Sequence, residues 1–301
     1  MKLLGRMFGL ACATLCIVGP GSGAEAQQRL RPRDVDALPS TAPTATEHYG
    51  AGPLQFGELR MPAGKGPFPV AVVIHGGCWT QGFATLKNTA ALASALAAKG
   101  IATWNIEYRQ QGDAGGGWPG TYRDWGAATD HLRELGKRFP IDLSKVVVTG
   151  HSAGGHAALW VASRSRLPKG SEIGVNDPLP VAVAIALDGP GDLSEAIGFN
   201  DEYCGMPVVV PFMGGTPVER PERYAQGSPR ELLPIGVPQV LVVAKFLLPE
   251  RADRYAARAR QTGDKVDVLT FDTGHFEVIA PGTDAGKAVL ALIIEQAFAS
   301  R

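Results

Sequence analysis

Residues 145–163, KVVVTGHSAGGHAALWVAS, pass from a run of β-branched residues through a glycine-framed serine straight into an apolar helical pattern. Few architectures accept a strand that becomes a helix with no loop between. Gly150 and Gly154 leave room for so sharp a turn, which lifts Ser152 out of the strand line with strained backbone angles. The serine then stands at a helix N-terminus, where free backbone N–H groups and the helix dipole favour developing negative charge.

The remaining chain supplies the sheet that such a turn needs. Short Val/Ile/Leu-rich runs at 69–75, 101–108, 145–150, 181–188, 238–243 and 266–271 alternate with the helical patterns LKNTAALASALAAKG, YRDWGAATDHLRELGKRF, AGGHAALWVASR, RADRYAARARQTG and GKAVLALIIEQAFA. This alternation predicts an α/β fold: a mostly parallel, doubly wound sheet with helices on both faces. Ligands bind beyond the carboxyl ends of strands in such sheets, so chemistry is sought at the strand ends. Between Gly189 and Gly236 the pattern lapses into a long stretch punctuated by Pro207, Pro211, Pro217, Pro221, Pro229 and Pro234. We expect an irregular cover insertion over about 189–236.

The amino end reads differently. Lys2 and Arg6, the apolar MFGLACATLCIV and the small-residue GSGAEAQQ form a secretory signal layout, cut after Ala26. The apolar core falls short of the roughly 20 residues of a membrane span. Lipid attachment through Cys12 or Cys16 is a weaker reading, because an A-x-A site follows them. We therefore expect a signal peptide over 1–26, a flexible leader over 27–53, one catalytic domain over 54–301, and a secreted or periplasmic protein. Export would leave Cys78 and Cys204 in an oxidising compartment, either as a disulfide or as two separately buried thiols.

Charge narrows the partners. Lys and Arg total 29, as do Asp and Glu, and no run of one sign occurs. Neither nucleic acid nor an anionic membrane is favoured as a partner. No spacing of His and Cys suggests a metal, and no cofactor is called for. Oligomeric state is not legible.

A second glycine-rich strand end, HGGCW at 75–79, lets backbone amides turn toward the serine. The N–H groups of Gly77 and Cys78, with that of Ala153, are the expected oxyanion donors, each worth about 3 kcal/mol of barrier when well placed. His75 is expected to fix that turn by hydrogen bonding.

These motifs, in this order, resemble the α/β-hydrolase superfamily, and within it the HGG-type serine esterases and the kynurenine formamidase-like and xylan or feruloyl esterase-like proteins. The likeness covers about residues 54–298 and includes EYR (107–109), WPGTYRD (118–124), GHSAGG, FMGGTP (212–217) and GHF (274–276). It implies an α/β-hydrolase fold and serine hydrolysis of a small-molecule ester, with little to say about which one.

Ser152 needs a base with a pKa near neutrality, and histidine supplies one. Of six histidines, His275 in DTGHFEVI follows the last strand, where the superfamily keeps its catalytic histidine. His131 on an amphipathic helix, His156 within the serine helix, His48 in the leader and His151 beside the serine have structural explanations.

The acid is harder to find. The superfamily pattern puts it after the strand PQVLVV, yet this chain continues AKFLLPER, with Ala244 or Leu247 where an aspartate belongs and with a shortened connection. Asp188, closing VAVAIALD, should lie one strand nearer the serine, across a spacing of about 4.8 Å. Some lipases of the superfamily carry the acid there. Asp188 can also be a turn residue. Glu250 is the fallback and Asp253 a weaker one, whereas Asp192 reads as a helix cap with Glu195 three residues on.

Trp79, Trp118 and Tyr122 sit near loop ends and are expected to line the substrate pocket. Asp124 and Arg109 are expected to tie loops together. The leading expectation is an exported carboxylesterase working through an acyl-enzyme on Ser152. The alternatives are an amidase, formamidase or peptidase of the same fold and, from a different class, a catalytically weak binding protein.

Overall fold

The computed structural model describes residues 29–299; the expected signal peptide and its two cysteines lie outside them. The six apolar runs form six parallel strands: β3 (Phe68–Ile74), β4 (Ala102–Ile106), β5 (Ile141–His151), β6 (Val183–Leu187), β7 (Gln239–Val243) and β8 (Val266–Thr270). Two earlier strands, β1 (Ala45–His48) and β2 (Phe56–Arg60), extend the sheet antiparallel, giving the order β1-β2-β4-β3-β5-β6-β7-β8.

The central strands read as continuous hydrophobic runs because both their faces are buried. Val70, Val72, Ile74, Val146, Val148, Ala184, Ala186, Leu241 and Val243 face one core, while Ala71, Val73, Val147, Ile185, Leu187, Val240 and Val242 face the other. That is the period-two alternation of side chains along a strand. Helices Gly120–Asp130, Ala153–Ser163 and Pro249–Gln261 cover the first face, and Ala90–Ala97 and Asp284–Phe298 cover the second.

Two expectations need correction. The described part of the leader carries the helix Pro32–Asp36 and the edge strand β1, which pairs with β2 from Ala45↔Leu59 to His48↔Phe56. Val35 from that helix is only 1% exposed. A one-turn helix and a four-residue edge strand are too short to leave a periodic signature. Nor is the cover irregular. It contains the short helices Leu193–Ala196, Phe199–Cys204, Val209–Met213 and Pro221–Gly227. Pro221 opens a helix, as proline does at a first helical position, and left-handed Gly205 and Gly214 close two others.

The cover is fastened covalently. Cys204, the last residue of Phe199–Cys204, forms a disulfide with Cys78 in the turn after β3. Asp192 caps the first cover helix by accepting from the N–H groups of Ser194 and Glu195. Among the described residues no helix is long and apolar enough to cross a membrane.

Candidate active site

Adjacent parallel strands β3, β5, β6 and β7 end at one edge of the sheet, and their turns converge there. At the end of β5, Ser152 has φ 56° and ψ −120°, a conformation that costs a non-glycine residue about 1–3 kcal/mol. The turn is held because its neighbours allow the backbones to touch. A Cβ on Gly154 would stand 2.2 Å from the carbonyl oxygen of Ile74, so only glycine lets the serine helix start this close to β3.

Facing the serine is the turn Gly76–Trp79. Gly77, Cys78 and Trp79 all have positive φ, at 105°, 53° and 55°. Among the described residues the N–H groups of Gly77 and Cys78, and that of Ala153 at the start of the serine helix, make no hydrogen bond. A buried frame supports this turn from below. His75 pairs its Nε2 with Glu107 Oε1 at 2.8 Å and stacks on Tyr108, whose hydroxyl donates to the His75 and Gly76 carbonyls at 2.9 and 3.2 Å. Burial pushes the Glu107 pKa up, but His75 and two backbone amides outweigh it, leaving the carboxyl below its ordinary value.

His275 follows β8 and, with Ser152, lines one cavity of about 350 Å³. Its Nδ1 lies 2.7 Å from Asp188 Oδ2. Asp188 comes directly after β6, is fully buried, and has φ 51°. Its carboxylate is received by the connection that seemed to lack an acid. The N–H groups of Ala244 and Leu247 donate to Oδ1 at 2.9 and 2.8 Å, and those of Lys245 and Phe246 to Oδ2 at 3.1 and 2.8 Å. Burial alone would raise the Asp188 pKa; the bond from His275, its charge and the backbone amides overcome that and lower it. Glu250 and Asp253 are exposed on the helix Pro249–Gln261, away from this arrangement.

His151 acts on the backbone of the histidine loop. Its Nε2 lies 2.8 Å from the His275 carbonyl oxygen, so it donates there, and the two rings lie 4.2 Å apart between centroids. Burial first, then the neighbouring His275, pushes its pKa down to about 3, keeping the ring neutral. His156 is also neutral, its pKa pushed down to about 4 by burial. It accepts from Trp79 Nε1 at 3.2 Å and donates to the Gly227 carbonyl at 2.8 Å.

The pocket expectation is overturned for all three aromatics. Trp79 and Tyr122 are 1% and 0% exposed, packed with Phe212 in an aromatic core beneath the cover. Trp118 is half-buried and lies against Tyr122 and Arg223, with its Nε1 bonded to Glu172. Large aromatics near loop ends filled the space under the cover instead of facing the cavity. The cavity wall is made by Phe83, Tyr203, Phe276, Pro32 and Asn88, together with the Cys78–Cys204 disulfide. Asp124 receives Arg109 through two guanidinium bonds, at 2.8 and 2.6 Å, and ties loops.

Sequence reasoning missed the amides of Ala244–Leu247, because a backbone donor has no letter of its own. The only trace was the shortness of that connection. Pro32 was missed because its helix was read as leader.

Comparison with known proteins places this arrangement in context. Esterase LipC of Mycobacterium tuberculosis is 30% identical over 137 residues, which make up 42% of this chain and 33% of that relative. Among solved structures, a truncated carbohydrate esterase from gut microbiota superposes with TM-score 0.70 at 18% identity, over 86% of this chain and 98% of that one. An inhibited esterase B from Lactobacillus rhamnosis gives 0.71 at 19%, over 88% and 90%. A butyrate-bound Thermogutta terrifontis esterase gives 0.66 at 18%, over 83% and 92%. Such identities carry the fold. With the BD-FAE family model matching residues 58–244, this chain has an α/β-hydrolase fold and belongs to the BD-FAE family.

Proposed function

We propose that the protein is an exported serine carboxylesterase in which Ser152, His275 and Asp188 act as nucleophile, base and acid. The observation that carries this is the Asp188–His275 bond at 2.7 Å beside a cavity shared with Ser152. Ser152 Oγ attacks the ester carbonyl carbon as its proton passes to His275 Nε2. The tetrahedral oxyanion is held by the N–H groups of Gly77, Cys78 and Ala153. Collapse breaks the bond to the alcohol oxygen, which takes the proton from His275, and leaves an acyl group on Ser152. Water then attacks that acyl group with His275 again as base, releasing the carboxylic acid and free serine.

Asp188 holds the imidazole with Nδ1 protonated, which leaves Nε2 as the acceptor for the serine proton, and stabilises the imidazolium that forms. A catalytically idle binding protein would be favoured by a His275 without a carboxylate, and that is not the arrangement present. The Cys78–Cys204 disulfide supports maturation in an oxidising compartment, in keeping with the signal layout. The test is a fluorophosphonate probe together with p-nitrophenyl butyrate turnover on folded protein. Labelling of Ser152, absent in Ser152→Ala, is expected; failure of both labelling and turnover would overturn the assignment.

A further inference from the structure

The substrate cavity is not walled by the hydrolase domain alone. Pro32, at the start of the helix Pro32–Asp36, lines it together with Asn88, although it precedes the first strand of the sheet. The segment bearing Pro32 is pinned on three sides. The Leu30 N–H donates to Glu277 Oε1 at 2.8 Å, two residues beyond His275. The buried Asn88 side chain donates to Asp36 Oδ1 at 3.2 Å and reaches the Pro32 carbonyl at 3.5 Å. Val35 is sunk into the core that holds Leu92, Val278 and Ile279, so the helix cannot swing away without exposing it.

We infer that residues 30–36 form a fixed strap across the cavity and that Pro32 is a specificity-determining residue, limiting the length of the ester chain lodged there. This rests on the proposed hydrolase reading of Ser152. The cavity, at about 350 Å³, lies near the small end of ligand sites, which run from roughly 300 to 1,000 Å³. It suits short, apolar ester chains, since Phe83, Tyr203, Phe276 and the disulfide supply the other walls. Pro32 is rigid and lines the cavity while still exposed to solvent, so its ring sets a boundary that a longer chain must cross.

The test is a pair of ester series on the full chain, p-nitrophenyl esters from acetate to octanoate and acetate esters of alcohols from ethanol to octanol. The variants are Pro32→Ala, Pro32→Trp and the control Arg33→Ala, exposed on the same helix. In one of the two series, Pro32→Ala should raise kcat/KM for the long chain relative to the short by about tenfold, the scale set by one or two methylenes in a pocket. Pro32→Trp should lower the same ratio by a similar factor, and Arg33→Ala should leave it unchanged. A merely structural role would lower activity in both Pro32 variants without opposite shifts in chain-length preference. Unchanged or parallel ratios in both series, with Ser152 still labelled by the probe, overturn the strap. Loss of labelling in the unaltered chain overturns the hydrolase reading and the strap with it.

Discussion

Replacing Asp188 by Asn tests the architecture most severely, because it keeps shape and changes only what the carboxylate can accept. The carboxylate has five donors on it: Ala244 and Leu247 on Oδ1, and Lys245, Phe246 and His275 Nδ1 on Oδ2. Whichever way an asparagine is turned, its NH₂ meets at least two backbone N–H groups that then lose their acceptor. Each orphaned buried donor costs about 1–3 kcal/mol, so a stability loss of roughly 2–6 kcal/mol is expected. If the NH₂ takes the Oδ2 position, it also meets His275 Nδ1 and forces the tautomer with Nε2 protonated, which cannot accept the serine proton. Wrong imidazole orientation costs about ten-thousandfold in kcat, or about 5.4 kcal/mol of barrier. The assay is kcat for p-nitrophenyl butyrate in parallel with denaturant unfolding. With the NH₂ at Oδ1 the bond to His275 survives and only the charge that stabilises the imidazolium is lost, so an Asp188→Asn protein with the parent's kcat would refute the placement of the acid, and Glu250→Gln should be indistinguishable from the parent.

Gly76→Ala should cut kcat/KM by about a hundredfold while the protein stays folded, because the added Cβ would lie 2.8 Å from the His151 carbonyl oxygen and 2.9 Å from Ser152 Cβ. Fluorophosphonate labelling rates would report it directly. Cys204→Ala, by opening a link across 126 residues, should lower stability by about 2–5 kcal/mol, read by denaturant unfolding with and without reductant. For pH, His151 and His156 have folded pKa values pushed down to about 3 and about 4, so the unfolded chain takes up protons first as pH falls. Stability should therefore decline from about pH 6.5, where free histidine titrates, toward pH 4, and His156→Phe should flatten part of that slope in melting temperature against pH. Asp188 acts in a lower window: its folded pKa is lowered, so its contribution is full above the ordinary carboxylate range and is lost only as pH falls through the lower folded value.

What could be read from the residues divides along physical lines. The strands β3 to β7 announce themselves because their central residues are buried on both faces, the edge strand β8 because its Val, Leu and Phe stand out between polar neighbours, and KVVVTGHSAGG carries the serine turn in side chains and glycines alone. The resemblance points to His275, and strand position to Asp188 with Glu250 as the fallback; the structure bonds His275 to Asp188. β1 and the helix Pro32–Asp36 escaped because four or five residues hold no period, and Pro32 drew no notice in a stretch whose composition resembles a linker. Trp79 and Tyr122 were misassigned for a related reason. Large apolar residues beside a strand end are equally suited to a cavity wall and to the underside of a cover, and only the path of residues 189–236 decides which.

The grip on Asp188 has a consequence for how such chains vary. Since peptide groups do the holding, the side chains of Ala244, Lys245, Phe246 and Leu247 are free of any duty toward the carboxylate, and they answer only to packing, which asks for bulk at the buried Phe246 and Leu247 and little at exposed Lys245. The conserved quantity would be a span, the number of residues between the last strand pair and the proline that opens the following helix. A chain with its aspartate after β7 has no need of a tight wrap there. A shortened connection at that point and an aspartate ending β6 should therefore travel together, and the pairing can be sought in sequences whose acid no motif finds.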